Sequence, residues 1–274
     1  MIEDSPLVSV IIPTHNRRKL LERALDSVFS QTWSALEVVV VDDASTDDTP
    51  NYLETLRAEK ENLTVVRNET SQGAAKSRNI AIKNSTGEFI TGLDDDDYWL
   101  PQRIEELMNA FNDGFSAVCS YDRMVTNTKE RVWKKPEVIT LDDLLYYNRV
   151  GNQVLTKKEY LEAVGGYDES LPSAQDYDLW IRLAKKFGPV KTVQEPLQVV
   201  NMEEDRERIS TDDKKIEGYR RCFLKHQQWM KPEHKSYQKY RLKLSAGEEV
   251  GWIEMVRATP LKLYVKEITR KLFL

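Results

Sequence analysis

Cysteine is scarce in this chain of 274 residues, which has only Cys119 and Cys222, far apart and in no metal-binding or redox spacing. This excludes a disulfide scaffold and favours two reduced thiols. No apolar run approaches the roughly 20 residues that span a bilayer. The first six residues include Glu3 and Asp4 and lack the basic and apolar segments of a signal peptide. We therefore expect a cytoplasmic protein, free or peripheral on the inner face of the cytoplasmic membrane.

Basic residues are in the minority outside the C-terminal part. Residues 225–274 carry 11 Lys and Arg against 5 Asp and Glu, whereas the rest of the chain carries 29 basic and 40 acidic side chains. An acidic body suits a cation site and argues against a nucleic-acid partner. The three histidines, His15, His226 and His234, form no ligand pattern. No GxGxxG follows the first apolar run, which excludes a dinucleotide-binding dehydrogenase.

The first hundred residues alternate between strand and helix patterns. Strands are predicted at 7–12, 37–41, 63–66 and 88–93, and helices at 18–31, 48–60 and 74–84. The first strand is expected to stop at Pro13, and Ser45 or Thr46 to cap the second helix. This order is typical of an α/β protein with a doubly wound, mainly parallel sheet, in which ligands bind outside the carboxyl ends of the strands.

The second half of the chain is less regular. Helices are predicted at 101–111 and 140–145 and from Asp176 to Gly188, strands at 117–121 and 132–138, and helix from about 212 onward with breaks at Pro232 and Pro260.

Polar clusters fall at three predicted strand ends: residues 14–16, the pair Asp42 and Asp43, and residues 94–97. Because these ends meet at one edge of a parallel sheet, we expect the three clusters to share a crevice.

The four consecutive aspartates after the fourth strand are the strongest single signal. Their mutual repulsion requires compensation, and oxygen ligands favour Mg²⁺ or Mn²⁺. In an extended segment Asp94 and Asp96 point to one side, where they can bind the metal. Asp95 then faces the other side, toward a ribose hydroxyl. A solvated acidic loop is the alternative for such a charge run.

Three further positions each allow two interpretations. Asp43 can accept a hydrogen bond from a nucleobase imide, or the pair Asp42 and Asp43 can form a helix N-cap doublet with Ser45 and Asp47. Arg78 and Lys76 are both placed to meet phosphate oxygens, and Arg78 suits this role better. For Lys76, an exposed position on the helix surface is equally plausible. Asp176 is either a helix N-terminal acid or a general base that deprotonates an acceptor hydroxyl.

The motifs together resemble the inverting GT-A glycosyltransferases of family 2. They are VIIPTHNR (10–17), EVVVVDDASTD (37–47), GAAKSRN (73–79), LDDDDYWLP (93–101), GGYDE (165–169) and QDYDLW (175–180). Six motifs in the family's order cover roughly residues 7 to 185, and each alone is weak.

The resemblance implies a nucleotide-sugar donor, most often a UDP-sugar, a Mn²⁺ or Mg²⁺ cofactor and a glycan or lipid-linked acceptor in bacterial surface polysaccharide synthesis. Pro13, Thr14 and His15 would line the base and Asp43 would bind its imide, while Arg17 and Arg78 would contact the nucleotide sugar. The segment Asp94 to Asp96 would be the DxD motif for ribose, diphosphate and metal, and Asp176 the catalytic base of an inverting displacement.

Two departures from the family pattern stand out. The residue before the catalytic aspartate is Gln175, where the family often has glutamate. A histidine frequent in the family is missing from the segment 199–210.

The resemblance also implies a domain division. Residues 1–211 would form the GT-A catalytic domain, with 1–100 as the nucleotide-sugar-binding half and 101–211 as the acceptor-binding half, and 212–274 would be a helical extension.

Two other classes of protein remain to be distinguished. A receiver-type signalling module would need a lone phosphorylatable aspartate and a length of about 120 residues, and the chain has neither. A relative that only binds the nucleotide sugar, such as a scaffold of a polysaccharide assembly, would differ from the enzyme only in lacking turnover.

The C-terminal tail from Pro260 predicts a basic amphipathic helix. Its apolar stripe would hold Leu261, Tyr264, Val265, Ile268, Leu272 and Phe273, with Lys262, Lys266, Arg270 and Lys271 largely off it. Such a helix can lie on an anionic membrane, or dock on the protein's own core or on a second subunit of a homo-oligomer.

Overall fold

A computed structural model of the chain describes residues 5–202 and 212–273. The strands are β1 Val8–Thr14, β2 Leu36–Asp42, β3 Leu63–Arg67, β4 Phe89–Gly92, β5 Tyr98–Trp99, β6 Ala117–Val125, β7 Glu130–Trp133, β8 Val138–Ile139, β9 Leu155–Lys157 and β10 Val190–Asn201. The helices are α1 Arg18–Phe29, α2 Thr49–Glu59, α3 Ala74–Asn84, α4 Arg103–Ala110, α5 Leu141–Leu144, α6 Lys158–Ala163, α7 Gln175–Phe187, α8 Asp212–His226, α9 Pro232–Ser245, α10 Trp252–Ala258 and α11 Tyr264–Phe273.

The strands form one mixed sheet in the order β3-β2-β1-β4-β9-β6-β10-β5, with β7 on β6 and β8 on β10. The long pairings, among β3, β2, β1 and β4 and between β6 and β10, are parallel. The short β9 joins the two parallel parts by antiparallel pairing with β4 and β6. The predicted α/β class with a mainly parallel sheet is therefore confirmed, and the prediction missed the antiparallel strand at its centre.

Helices cover both faces of the sheet because the central strands are apolar on both sides. On β1, Ile11 belongs to the core cluster on the α3 and α7 side, whereas Val10 and Ile12 belong to the cluster on the α1 and α2 side. The residues of β2 alternate in the same way, with Val38 and Val40 facing α1 and α2. Burial on both faces fixes the strand registers, and with them the loops at the carboxyl ends.

Two local predictions were wrong. The first strand continues through Pro13 to Thr14, because β4 stops pairing with β1 at Ile11 and leaves that edge open, where a residue without an N–H is tolerated. Ser45 and Thr46 do not cap α2, which begins at Thr49. Both are instead bonded to Asn16 in the first loop.

The C-terminal helices pack beside α7 around a small aromatic core of their own. Tyr146, Tyr237 and Tyr240 are buried in it together with Leu263. The predicted breaks at Pro232 and Pro260 are confirmed, since α9 begins at the first and α10 ends before the second. The expected domain boundary at 211/212 borders residues 203–211, which lie outside the described ranges. No helix within those ranges is both long enough and apolar enough to cross a membrane.

Candidate active site

A cavity of about 630 Å³ opens at the carboxyl ends of β1, β2 and β4. It brings together the following predicted site residues: Pro13, Thr14, His15, Arg17, Asp43, Arg78, Asp94, Asp95 and Asp96. Asp176 does not itself line this cavity, but Ala174 and Gln175, immediately before it, do. Three segments that are distant in sequence thus share one crevice, as the strand order requires.

Asp43 ties the loop before α3 to the end of β2. Its two carboxylate oxygens accept four hydrogen bonds, from the Asn68 side chain and the Gln72 amide at 2.7 Å, and from the Ser71 hydroxyl and the Gly73 amide at 2.8 and 2.9 Å. Burial opposes ionisation, but these bonds outweigh it and hold the pKa of Asp43 below its usual value.

Neither Asp42 nor Asp43 caps α2, which removes the N-cap interpretation of this pair. Asp42 accepts a hydrogen bond from the Ser45 amide, and Asp43 serves the loop before α3. Gly73 precedes α3 with a φ of 86°, a conformation that favours glycine. The first residues of α3, from Ala74 to Ser77, therefore line the cavity with the positive end of the helix dipole.

Arg78 reaches from α3 to the aspartate segment. Its Nη2 donates to Asp94 Oδ1 at 2.7 Å, and its guanidinium lies 5.4 Å from the centre of the Tyr167 ring. Burial disfavours its charge, but Asp94 more than compensates and raises the pKa of Arg78. Lys76 instead bonds Gln72 near the surface of the same helix. Arg78 is consequently a fixed cation in the cavity wall.

The motif at 165–169, which was identified in the sequence, positions Tyr167. Asn79 donates to the Tyr167 carbonyl at 2.9 Å and accepts from its amide at 2.8 Å. Gly166 has a φ of 66°, and a Cβ there would lie 2.6 Å from Asn79 Oδ1. The glycine therefore lets the loop close on α3, a role that the motif alone did not reveal.

Three of the four consecutive aspartates converge. Ligand oxygens of Asp94, Asp96 and Asp97 all lie within 4.8 Å of one another. Asp95 points elsewhere and accepts hydrogen bonds from Thr14 and Arg17 at 2.8 and 2.9 Å. This donor set of hard carboxylate oxygens fits Mg²⁺ or Mn²⁺. The prediction grouped Asp94 with Asp96 and did not include Asp97.

Arg17 and Arg23 brace this segment from the α1 side. Arg17 Nη1 lies 2.9 Å from an Asp95 oxygen and 2.8 Å from Asp96 Oδ2, so one nitrogen bridges two carboxylates. Arg23 donates to the Asp96 carbonyl at 2.6 Å. These contacts compensate part of the carboxylate repulsion and hold the segment against the first loop.

Two amides that sequence reasoning missed orient the same cluster. Asn152 Nδ2 donates to Asp94 at 2.8 Å and to Asp97 at 3.0 Å, and Gln153 donates to Asp94 at 2.9 Å. Burial and the charge of Asp94 raise the pKa of Asp97 well above its usual value. Asn152 and Gln153 belong to an irregular loop before β9, where no sequence pattern marks them.

His15 is held by its own loop. Its Nδ1 is 2.7 Å from the Asp43 carbonyl oxygen and its Nε2 is 3.1 Å from Asn16 Nδ2. Both ring nitrogens are thus engaged, and the imidazole has a fixed orientation beside the cavity.

The two aspartates at the start of α7 have opposite environments. Asp176 accepts a hydrogen bond of 3.2 Å from Asn148, and burial raises its pKa to about 6. Asp178 is fully buried and bonds Arg182 and His226 at 2.7 and 2.8 Å. Burial opposes its charge, but these partners lower the pKa of Asp178 strongly. Asp176 can therefore exchange a proton near neutral pH, whereas Asp178 is a permanent anion.

Backbone strain is concentrated in this region. Across residues 5–202 and 212–273, the non-glycine residues with positive φ are Asn16, Ala44 and Ala174, at 54°, 61° and 59°. Each lies within two residues of a predicted site residue, namely His15, Asp43 or Asp176. Such conformations cost about 1–3 kcal/mol each and persist where the surrounding structure fixes them.

Comparison with known proteins agrees with this geometry. The model of glycosyl transferase family 2 matches residues 9–167. The chain is 30% identical over 270 residues to WcaA of Escherichia coli K12, a glycosyl transferase provisionally named for colanic acid biosynthesis, with 92% of each chain covered. It is 31% identical over 188 residues to the GalNAc(5)-diNAcBac-PP-undecaprenol beta-1,3-glucosyltransferase of Campylobacter jejuni, covering 66% of this chain and 60% of that one.

Solved structures share the fold at lower identity. Residues 1–349 of S. aureus TarS in complex with UDP-GlcNAc align with a TM-score of 0.68 and 22% identity, covering 94% of this chain and 77% of that one. The mannosyltransferase PcManGT of Pyrobaculum calidifontis with GDP-Man and Mn²⁺ aligns with a TM-score of 0.61 and 23% identity, covering 97% and 79%. The chain belongs to glycosyl transferase family 2 and is a GT-A glycosyltransferase that uses a nucleotide-sugar donor.

Proposed function

We propose that this glycosyltransferase is metal-dependent and inverting, and that it moves a sugar from a UDP-sugar to a hydroxyl of a glycan or lipid-linked acceptor. The observation that carries the proposal is the convergence of Asp94, Asp96 and Asp97 beside Arg78 in one cavity. Carboxylates and a guanidinium in this arrangement suit a diphosphate that is bridged by a cation.

Asp94, Asp96 and Asp97 would hold Mn²⁺ or Mg²⁺. When bound, the cation would offset the negative charge that builds on the departing nucleoside diphosphate. Arg78, in the N-terminal part of α3, supplies fixed positive charge directly beside Asp94. Because Asp94 already neutralises Arg78 in part, metal binding to Asp94 would free the guanidinium for phosphate oxygens.

The nucleoside would lie against Pro13, Thr14 and His15, with Arg17 and Asp95 on the ribose side. Asp43 would read the base imide. All four of its acceptor positions already serve the loop at 68–73, so contact with the imide requires the exchange of one bond. The Ser71 hydroxyl is the donor that can rotate away most easily. Base recognition would then be coupled to the conformation of this loop.

Asp176 would act as the general base toward the acceptor. Its pKa of about 6 leaves it mostly ionised at neutral pH and still able to accept a proton. Asn148 holds one oxygen, which orients the carboxylate. Attack on the anomeric carbon from the side opposite the diphosphate would invert an α-linked donor to a β-linked product.

The acceptor and setting are proposed from the relatives. One is named for colanic acid biosynthesis, and another is named for an acceptor linked through diphosphate to undecaprenol. We therefore place this enzyme in bacterial surface polysaccharide synthesis, on the inner face of the cytoplasmic membrane. In this scheme residues 1–100 bind the donor, 101–211 bind the acceptor and 212–274 form an extension.

The described part of the extension has an exposed apolar surface, the α10–α11 surface, which supports membrane contact. Its residues are Trp252, Ile253, Val256, Leu261, Val265 and Ile268. Ile253, Leu261 and Val265 are 71%, 88% and 79% exposed. The side chains of Leu272 and Phe273, predicted for the same stripe, lie outside the described residues. A patch of this kind on consecutive helices is typical of an interaction site.

The orientation of α11 differs from the expectation that this helix docks on the protein's own core. Of the predicted apolar stripe, Leu261, Val265 and Ile268 are exposed and do not dock on the protein. Basic residues make contacts to the protein instead: Arg270 donates to the Tyr240 hydroxyl on α9 at 2.6 Å, and Lys262, just before the helix, pairs with Asp142 at 3.0 Å. These exposed residues are available to a lipid surface or to a second subunit.

Co-sedimentation with vesicles tests the membrane contact. We expect binding to require anionic lipid and to weaken as salt rises, and the double variant Leu261→Ser with Val265→Ser to lose most of it. Leu224→Ser is the matched control, because Leu224 is an exposed leucine on α8, outside this surface. A wild-type protein that stays in the supernatant at low salt, and is dimeric only with an intact stripe, would assign the surface to oligomerisation.

Calorimetric titration with UDP tests the donor site. We expect UDP to bind more tightly with Mn²⁺ than in EDTA, and Asp96→Ala to abolish that difference because it removes a charged ligand. Asp113→Ala is the control, since Asp113 is an exposed aspartate paired with Lys157. UDP affinity that is equal with and without metal would refute metal-assisted donor binding. The alternative of a binding-only scaffold predicts the same titration without any turnover.

A further inference from the structure

The ring of Tyr147 lies among three cations that come from three separate elements. The Lys266 ammonium on α11 is 3.4 Å from the ring centroid, and the guanidiniums of Arg149 and Arg241 are 5.4 and 5.7 Å away. Arg149 belongs to the loop between α5 and β9, and Arg241 to α9. We refer to these four residues as the Tyr147 cluster. Cations packed this closely raise each other's energy unless anions compensate.

Carboxylates neutralise the positive charge of the Tyr147 cluster only in part. Arg149 pairs with Asp143 at 3.1 Å, but Arg241 is only loosely paired, 3.8 Å from Glu267. Glu267 is fully buried and its oxygens are already bonded by Tyr237, Tyr240 and Arg270. Lys266 forms no ion pair with any carboxylate in the described ranges, 5–202 and 212–273. The cluster thus has an excess of positive charge beside one half-buried ring.

The neighbouring groups explain why the pKa of Lys266 is low. Lys266 is exposed as a whole residue, but its ammonium packs on the Tyr147 ring; this partial desolvation and the charges of Arg241 and Arg149 lower the pKa of Lys266 to about 7, although Glu267 opposes them. A bound anion would restore full protonation of this amine.

The Tyr147 cluster adjoins the proposed catalytic base. Asn148, which bonds Asp176, stands in the chain between Tyr147 and Arg149. Tyr219 lies within the electrostatic reach of both Asp176 and Arg241; burial raises its pKa to about 12, the negative charge of Asp176 adds to this and the positive charge of Arg241 opposes it. On α11, the exposed Val265 of the α10–α11 surface directly precedes Lys266. The cluster therefore shares its loop with the residue that bonds the base, and its helix with the apolar surface.

We infer that the Tyr147 cluster binds a phosphate or diphosphate group of the acceptor. Two guanidiniums and an ammonium from separate elements suit an anion with several oxygens, because each arginine can bind two of them. This inference rests on the proposed acceptor class, and it adds the group by which such an acceptor is held. The same chemistry would also suit a phosphate of a membrane lipid headgroup.

The first arm of the test uses inorganic pyrophosphate in metal-free buffer with EDTA, titrated calorimetrically with and without excess UDP. We expect a binding component that UDP does not displace. Arg241→Gln and Lys266→Gln should each weaken that component about tenfold, as expected for the loss of a charge-assisted hydrogen bond. Lys266→Arg keeps the charge and should retain binding. Arg257→Gln, an exposed arginine on α10 outside the cluster, is the matched control and should bind as the wild type does.

Pyrophosphate that UDP displaces completely, or equal affinity in Lys266→Gln and Arg257→Gln, would overturn the inference. The second arm distinguishes the two phosphate sources with anionic vesicles. If Arg241→Gln and Lys266→Gln lose vesicle binding at low salt but keep their affinity for pyrophosphate in solution, the cluster binds lipid headgroups. That result would overturn the acceptor site. Hydrolysis of UDP-sugars by the wild-type protein needs no acceptor, so failure of the proposed function is detected separately.

Discussion

Replacing Asp176 by asparagine removes one proton acceptor from the proposed site and changes the side chain's shape very little. An amide oxygen can still accept the hydrogen bond from Asn148, so the local structure should persist. With a pKa of about 6, Asp176 is about nine-tenths ionised at pH 7. We therefore expect kcat to fall at least ~100-fold, the lower end for general base catalysis, which corresponds to about 2.7 kcal/mol in the barrier.

The matched control is Asp178→Asn, two residues further along α7. Asp178 is fully buried against Arg182, Lys225 and His226, so its neutralisation leaves the largely buried Arg182 guanidinium without its anion. We expect a loss of about 3–5 kcal/mol in the free energy of unfolding. Folding lowers the pKa of Asp178. Its contribution to stability is therefore fully present at pH values above the unfolded-state pKa of about 3.9, and it is lost as the pH falls below that value toward the folded-state pKa.

Steady-state transfer kinetics, urea unfolding and UDP titration separate the two roles. Asp176→Asn should lose kcat while keeping its unfolding midpoint and its UDP affinity. Asp178→Asn should lose stability. If Asp176→Asn retains kcat but loses donor binding or stability, Asp176 is a structural residue at the start of α7 and the base lies elsewhere.

The remaining predictions concern proton uptake, metal orientation and donor charge. Because the pKa of Asp176 is raised to about 6, kcat/KM should be lost as the pH falls through that value, about tenfold per unit; a profile flat to pH 4 would contradict this. Asn152→Ala should weaken Mn²⁺ binding 10- to 100-fold in a metal titration, since it leaves Asp94 and Asp97 unoriented. Arg78→Gln should lower kcat about 100-fold with little change in unfolding free energy, and unchanged kcat would exclude Arg78 from charge stabilisation.

The first half of the fold could be predicted because its sequence signals are local. α3 has the bounds that were predicted, since Gly73 precedes it and Ser85 follows it in an extended conformation. The strand ends also placed the polar clusters at one edge, because a parallel sheet allows no other arrangement. This is why the residues of three separate motifs line one cavity.

The second half depends on contacts that no local pattern contains. β10 was missed because lysine, glutamate and Pro196 interrupt its apolar residues, and the register shifts at Pro196. β9 has only three residues, too few for a recognisable alternation. Asn152 and Gln153 reach the aspartates only through the register of this strand, so their part in the site could not be predicted from the sequence.

The orientation of α11 could not be predicted for a different reason. Amphipathic patterns assume that the apolar face is buried, and this helix buries Glu267 instead. That is possible because Tyr237 and Tyr240 on α9 donate hydrogen bonds to the carboxylate. A tertiary hydrogen-bond network thus buries a carboxylate that a helical pattern alone would assign to solvent.

Release of UDP from a set of UDP-sugars by the wild-type protein, with Mn²⁺, with Mg²⁺ and with EDTA, tests the central claim most directly. We expect at least one UDP-sugar to be hydrolysed when either metal is present, and EDTA to stop the reaction because Asp94, Asp96 and Asp97 no longer hold a cation. Hydrolysis that continues unchanged in EDTA, or UDP-sugars that bind without being hydrolysed under any of these conditions, would contradict a metal-dependent glycosyltransferase.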